Sequence, residues 1–202
     1  MTISYIISKL LKKLRGKSIL SSTIHKTSKI ESGSLIVNSI IDKYSFCGYD
    51  CEIINCEIGS FCSIANNVII GGAMHPIEWV STSPVFYAGR DSIKKKFQHF
   101  KRPDDKKTYI QNDIWIGAYT LIKQGITIGN GSVIGMGSVV TKDIPPYEIW
   151  AGNPAKFIRK RFNDEVIEKI KKSEWWNLDG SKLKEISKHF NDTEKTLNTF
   201  FK

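Results

Sequence analysis

The feature that most constrains this 202-residue chain is a six-residue beat. Ile110, Ile116, Ile122, Ile128, Ile134 and Val140 follow one another at intervals of six without a break. Four positions after each comes Ile114, Thr120, Ile126, Ser132, Ser138 or Ile144, mostly small or β-branched. Turn formers fill the gaps: Gly117-Ala118, Gly129-Asn130-Gly131, Gly135 and Gly137. Neither a helix, with its period of 3.6, nor an alternating strand, with its period of 2, produces a strict six. Six residues suffice for a short strand and a bend with one aliphatic pointing inward. Three such sides close a triangular coil, and coils stack at a strand spacing of about 4.8 Å. The expected fold is therefore mainly β, a parallel β-helix whose core is an aliphatic ladder along its axis.

An earlier block carries the same beat with slippage. Ile58, Ile64 and Ile70 are six apart, as are Leu35, Ile41, Cys47 and Ile53, with the phase slipping by one residue between Ile53 and Ile58. Ile24 and Ile30 extend the pattern weakly. Residues 73–109 lack it, and in a solenoid such an insertion projects from one corner as a loop, often on the binding face. Pro145-Pro146 ends the repeats. Helical patterns follow from Asp164 to about Ser173 and from about Ser181 to Phe190, and the tail from Asn191 shows little pattern. At the other end, Ile6, Ile7, Leu10, Leu11 and Leu14 recur at helical spacing, with Lys9, Lys12, Lys13 and Arg15 facing elsewhere. Lysines interrupt this stretch too often for a signal peptide or a membrane span. It either packs on protein, its own or a sister subunit's, or lies on an anionic membrane surface through residues 5–15; packing is the favoured expectation. The chain thus divides into an amphipathic helix (1–20), a β-helix with its insertion (21–150) and a helical extension (151–202).

The net charge of +10 suits nucleic acid, an anionic surface or a phosphorylated small molecule. No zinc-finger spacing, RNA-binding signature or basic zipper helix is present, so nucleic acid is not an expected partner. Cys47, Cys51, Cys56 and Cys62 match neither zinc spacing nor a disulfide framework and read as core residues in a reducing, cytoplasmic setting. Four scattered histidines do not supply the three clustered ligands that a zinc-dependent β-helix enzyme such as a γ-type carbonic anhydrase needs, and no metal is expected.

Four segments carry a resemblance that covers most of the chain. They are Ile58-Gly59-Ser60-Phe61-Cys62-Ser63-Ile64; His75-Pro76 with Ser81-Thr82-Ser83-Pro84-Val85-Phe86; Asp113-Ile114-Trp115-Ile116-Gly117; and Gly135 to Pro146 running into Ala151-Gly152-Asn153-Pro154-Ala155-Lys156. The chain resembles the hexapeptide-repeat acyltransferases, specifically the xenobiotic acetyltransferase subgroup of antibiotic and surface-polysaccharide O-acetyltransferases. The resemblance implies a left-handed coil, a homotrimer, and acetyl-CoA in the groove between subunits. It places the catalytic histidine on His75 and the coenzyme contacts on Trp115, Gly117, Ala118, Met136, Thr141, Lys142, Lys156 and Arg159. Trp175-Trp176 resembles the family's C-terminal helix signature, although Asn177-Leu178 departs from its continuation. Met136 is bulkier than the small residue often found there.

The chemistry explains the residue types. A sugar or drug hydroxyl is a poor nucleophile, and an imidazole, with an ordinary pKa of about 6.5, accepts its proton at neutral pH. Pro76 biases His75 toward extended backbone and helps fix its direction. His25, His99 and His189 have no comparable setting. Backbone N–H groups near the Gly-rich corners are candidate oxyanion donors, without a feature to single any out. Lys142, Lys156, Arg159, Lys160 and Arg161 cluster where the coil ends, facing either coenzyme phosphates or solvent. Direct transfer needs no enzyme nucleophile, and nothing beside Cys62 would activate it as an acyl carrier. Lys94-Lys95-Lys96, Lys101-Arg102 and Lys106-Lys107 suit an acidic or phosphorylated saccharide acceptor, or are a solvated loop. An antibiotic acceptor is the alternative and would want a more apolar cleft. A non-catalytic scaffold is the remaining class, which an intact His-Pro loop disfavours.

Overall fold

A computed structural model describes residues 2–89 and 91–201, without the side chain of Tyr5. Met1 and Lys202, the outer bounds of the terminal segments named above, lie outside the described residues, as does Arg90 within the insertion.

The repeat folds as a three-faced parallel solenoid. The first face stacks β1 (Ser18–Leu20), β4 (Leu35–Val37), β7 (Glu52–Ile54), β10 (Ile69–Gly71), β13 (Leu121–Ile122) and β16 (Val139–Val140). The second stacks β2 (Thr23–Ile24), β5 (Ile40–Ile41), β8 (Cys56–Ile58), β11 (Thr108–Ile110) and β14 (Thr127–Ile128). The third stacks β3 (Lys29–Ile30), β6 (Phe46–Cys47), β9 (Ser63–Ile64), β12 (Trp115–Ile116), β15 (Val133–Ile134) and β17 (Glu148–Ala151), closed by antiparallel β18 (Lys156–Lys160).

Each face sends one ladder inward: Ile36, Ile53, Ile70, Ile122 and Val140; Ile41, Ile58, Ile110, Ile128 and Ile144; Ile30, Cys47, Ile64, Ile116, Ile134 and Trp150. All are buried, and burying an aliphatic side chain of this size contributes about 1.5–3 kcal/mol. The small residues four places on fill the corners. Their polar groups are satisfied between coils: the Ser45 hydroxyl donates to Gly59 O at 2.7 Å and accepts from Cys62 N–H at 2.9 Å. This is how these small hydroxyls fit a core in which an unpaired polar atom is costly.

The register corrects one expectation. Ile36, not Leu35, belongs to the ladder, and Leu35 sits half-buried on the outside of the first face. Ile36 pairs with Ile53 and Ile53 with Ile70, steps of seventeen residues, whereas Ile122 pairs with Val140 after eighteen. The early coils are one residue short at every first-to-second corner. There Asn38 (φ 48°) and Asn55 (φ 53°) turn the chain in the left-handed region, linked by Asn38 Nδ2 to Asn55 Oδ1 at 3.0 Å. A strict six-residue reading absorbed that shortfall by shifting to Leu35.

Outside the solenoid, α1 (Ile3–Leu14) precedes the first coil, which begins at Ser18, inside the segment read from sequence as helix. Its apolar residues Ile3, Ile6, Ile7, Leu10, Leu11 and Leu14 are 45–78% exposed, so of the packing partners expected, the described residues of its own chain do not cover this face. Its C-terminal end is held by Ser32 Oγ donating to Lys12 O (2.8 Å) and by the Arg15–Asp50 ion pair (2.7 Å). At the other end come α2 (Asp164–Ser173), α3 (Gly180–Ile186) and α4 (Thr193–Phe200). The last forms where the sequence pattern was faint; Asp192 caps it by accepting from Lys195 N–H, and Leu197 is buried. Trp175 packs against Phe61 and Phe190 at ring distances of 4.8 and 5.2 Å, so the paired tryptophans dock these helices on the second-to-third corner.

Candidate active site

The insertion leaves the solenoid after β10 and returns at β11, at the same first-to-second corner that is short in the coils below. Its return is tied to that corner: Thr108 N–H donates to Asn55 O (3.0 Å), and Asn55 Nδ2 to Asp105 O (3.3 Å). Within it, Trp79 meets Tyr87 and Phe100 edge-on, and Lys96 Nζ donates to Tyr87 O (2.8 Å) and pairs with Asp91 (2.6 Å).

His75 sits near its start, exposed, above buried Pro76. His75 Nδ1 lies 2.8 Å from Thr82 O. A carbonyl only accepts, so Nδ1 carries the proton and the lone pair resides on Nε2. The Tyr87 hydroxyl, 3.1 Å from the same nitrogen, shares that N–H as a second acceptor. The flanking motif builds this arrangement locally. Ser83 caps a short turn over Pro84–Phe86, its side chain accepting from Val85 N–H, and this presents the Thr82 carbonyl to the imidazole. Sequence reasoning singled out His75 but not Tyr87, its neighbour at 3.1 Å, although Tyr87 directly follows the quoted motif. The cleft beside His75, about 400 Å³, is lined by Met74, Trp79, Arg102, Lys123 and Gln124 among others.

The expected coenzyme residues fall into three sets. Thr141 and Lys142 occupy the first-to-second corner, two coils above the insertion, with Lys142 Nζ 5.1 Å from the ring centre of Trp150. Gly117, Ala118 and Met136 occupy the third-to-first corner, where Gly137 N–H donates to Ala118 O at 2.8 Å. A Cβ on Gly117 would stand 2.5 Å from Met136 N, so this corner requires glycine for close coil stacking. Met136 is 75% exposed. Trp115 and Arg159 line one cleft of about 600 Å³ on the third face with Ser63, Val133 and Ile149, and Lys156 begins the exposed β18. One chain brings members of each set together but leaves the sets on different corners and faces.

Other cations are engaged structurally. Arg161 donates to Gly131 O (2.6 Å) and pairs with Asp113 (3.1 Å), and Lys160 pairs with Asp164. In the insertion Arg102 pairs with Asp105 and Lys107 with Glu57 (2.8 Å). Much of the lysine-rich segment is therefore bound into the fold. Burial pushes the Cys62 thiol up to about 12, which removes it as a nucleophile. The other histidines stand elsewhere: His25 Nδ1 meets Thr27 Oγ1 (2.8 Å), and His189 stacks on Phe200.

With this geometry, residues 107–142 match the family model described as bacterial transferase hexapeptide (six repeats). The chain is 45% identical over 131 residues to a chloramphenicol acetyltransferase of Morganella morganii, covering 63% of this chain and 61% of that one. It is 42% identical over 130 residues to a probable macrolide acetyltransferase of Lysinibacillus sphaericus, covering 62% and 71%. The match thus spans about three fifths of the chloramphenicol acetyltransferases' length. Among solved structures, the polySia-specific acetyltransferase NeuO aligns with a TM-score of 0.51 at 34% identity, over 71% of this chain and 65% of that one. AntD, an N-acyltransferase from Bacillus cereus, aligns with a TM-score of 0.54 at 19% identity, over 83% and 95%, and shows the fold alone. Ladder, His-Pro loop and relatives agree: the chain belongs to the hexapeptide-repeat acyltransferases, alongside the chloramphenicol and macrolide acetyltransferases.

Proposed function

We propose that this protein transfers an acetyl group from acetyl-CoA to a saccharide hydroxyl, on a surface polysaccharide or its sugar precursor. The reading rests above all on the imidazole of His75, whose Nδ1–H is fixed to Thr82 O and whose Nε2 is thereby left as the base. His75 Nε2 takes the acceptor's hydroxyl proton as its oxygen attacks the thioester carbonyl, and returns that proton to the departing thiolate. Acetyl-CoA supplies the acyl group, and binding of both substrates replaces any covalent enzyme intermediate.

Trp115, Gly117, Ala118, Met136, Thr141, Lys142, Lys156 and Arg159 are the residues we assign to the coenzyme. Their distribution over separate corners of one chain supports a homotrimer in which neighbouring subunits complete each site. The protein acts in the cytoplasm, with α1 as a peripheral contact. The likeness to NeuO, named as polySia-specific, supports a saccharide acceptor. The identity to chloramphenicol acetyltransferases favours antibiotic O-acetylation as the second reading. Acetyl-CoA turnover on extracted glycans beside chloramphenicol and streptogramin separates the two. His75→Ala should lower turnover by roughly 10²-fold or more with folding intact. Near-native turnover in that variant would remove His75 as the base.

A further inference from the structure

The imidazole is oriented at its ring by Thr82 and Tyr87, but its backbone is held from the far arm of the insertion. Arg102 Nη1 donates to Met74 O, the carbonyl of the peptide unit that leads into His75, at 3.1 Å. The same guanidinium grips Asp105 with both nitrogens, Nη1 to Oδ1 at 2.7 Å and Nη2 to Oδ2 at 2.6 Å. Asp105 is in turn fastened to the solenoid through its own carbonyl, which accepts from Asn55 Nδ2. A planar fork can serve a carboxylate and a third acceptor at once, which a lysine ammonium cannot do with the same fixed geometry. Both side chains are about three-quarters shielded from solvent and both line the His75 cleft. The Asp105 carboxyl lies below its ordinary range, owing first to the Arg102 guanidinium and further to the N–H groups of Met74 and Gln124.

We propose that Arg102 and Asp105 form a positioning pair for His75, clamping the Met74–His75 peptide to the rigid corner at Asn55 so that Nε2 is aimed at the acceptor hydroxyl. This rests on His75 being the base. Neither residue exchanges a proton with substrate. The clamp converts a loop histidine into one referenced to the solenoid, and a displacement of about 1 Å at such a group can cost 10²-fold in rate.

The test is a double-mutant cycle on the full-length protein. Arg102→Met and Asp105→Asn should each lower kcat by about 10- to 100-fold, with the KM for acetyl-CoA changed by less than about 2-fold. Arg102→Lys should fall between wild type and Arg102→Met, and it carries the test should the methionine variant fail to fold. In a His75→Ala background the same substitutions should change the residual rate by less than about 2-fold, because the group they aim is gone. An equal loss in both backgrounds, or a loss expressed only in KM, overturns the positioning role while leaving His75 as base. Full activity of Arg102→Met beside an inactive His75→Ala does the same. Near-native turnover of His75→Ala overturns the base and the clamp together.

Discussion

Individual side chains show where the fold leaves no latitude. Cys47, Cys51, Cys56 and Cys62 all lie inside the prism, and desolvation raises each thiol above its ordinary value. Alkylating reagents should therefore leave the native protein unlabelled and modify all four thiols only on unfolding, as mass spectrometry would read. Gly117→Ala forces a methyl into the Met136 backbone. We expect a loss of about 1–3 kcal/mol, seen as a lower unfolding midpoint. Asp105 links pH to the insertion. Its folded-state pKa is lowered, so its stabilisation is complete above the ordinary value of 3.8 and is lost as pH falls through the lowered one. Limited proteolysis within residues 73–107 should thus accelerate below about pH 4 in the wild type, and Asp105→Asn should lack that acid-specific step. Much of this was legible from one dimension: His75 and the inward aliphatics are marked by motif and period. Arg102 was visible only as part of a basic run, because its partners Met74 and Asp105 become meaningful once the two arms of the loop meet.

Secondary elements were legible in proportion to how much of their stabilisation is local. The strands from Thr108 to Val140 repeat without slippage and are readable directly, and α2 carries its own Asn163 cap, which accepts from Val166 N–H. The early coils were misphased at Leu35, since a five-residue corner is a property of the stacked neighbour rather than of the segment itself. The last helix, α4, was missed because its order depends on packing against α2 and on a single cap. The first helix, α1, presents the opposite case: it is legible as amphipathic, yet its described apolar residues stay 45–78% exposed. Among the described residues no helix is long and apolar enough to cross a membrane, so any lipid contact by α1 is along a surface. Sedimentation with anionic vesicles should retain the wild type, and Leu10→Glu should release it. If instead a sister subunit covers α1, that substitution should shift the oligomer on size exclusion and leave vesicle binding absent from both.

At the scale of the whole molecule, the solenoid and the insertion that carries His75 meet at one corner. Excising residues 72–107 and inserting one asparagine would restore a corner like Val37-Asn38-Ser39-Ile40, leading from Gly71 into Thr108. The ladder from Ile70 to Ile110 should then close, giving a folded protein by circular dichroism with acetyl transfer abolished. The residues we assign to the coenzyme, spread over corners and the third face, belong to the solenoid, so on that proposal acetyl-CoA binding by calorimetry should persist. The strand partners on either side of the cut are already fixed, since β10 pairs with β7 and β13, and β11 with β8 and β14. The corner that takes five residues from Ile53 to Ile58 and forty from Ile70 to Ile110 behaves as a socket: its two rims are set by neighbouring rungs, whatever hangs between them. On the proposed assignment of sites, acceptor recognition can accordingly be exchanged as a cassette, with specificity redesigned in one segment while the frame assigned to the thioester is left untouched.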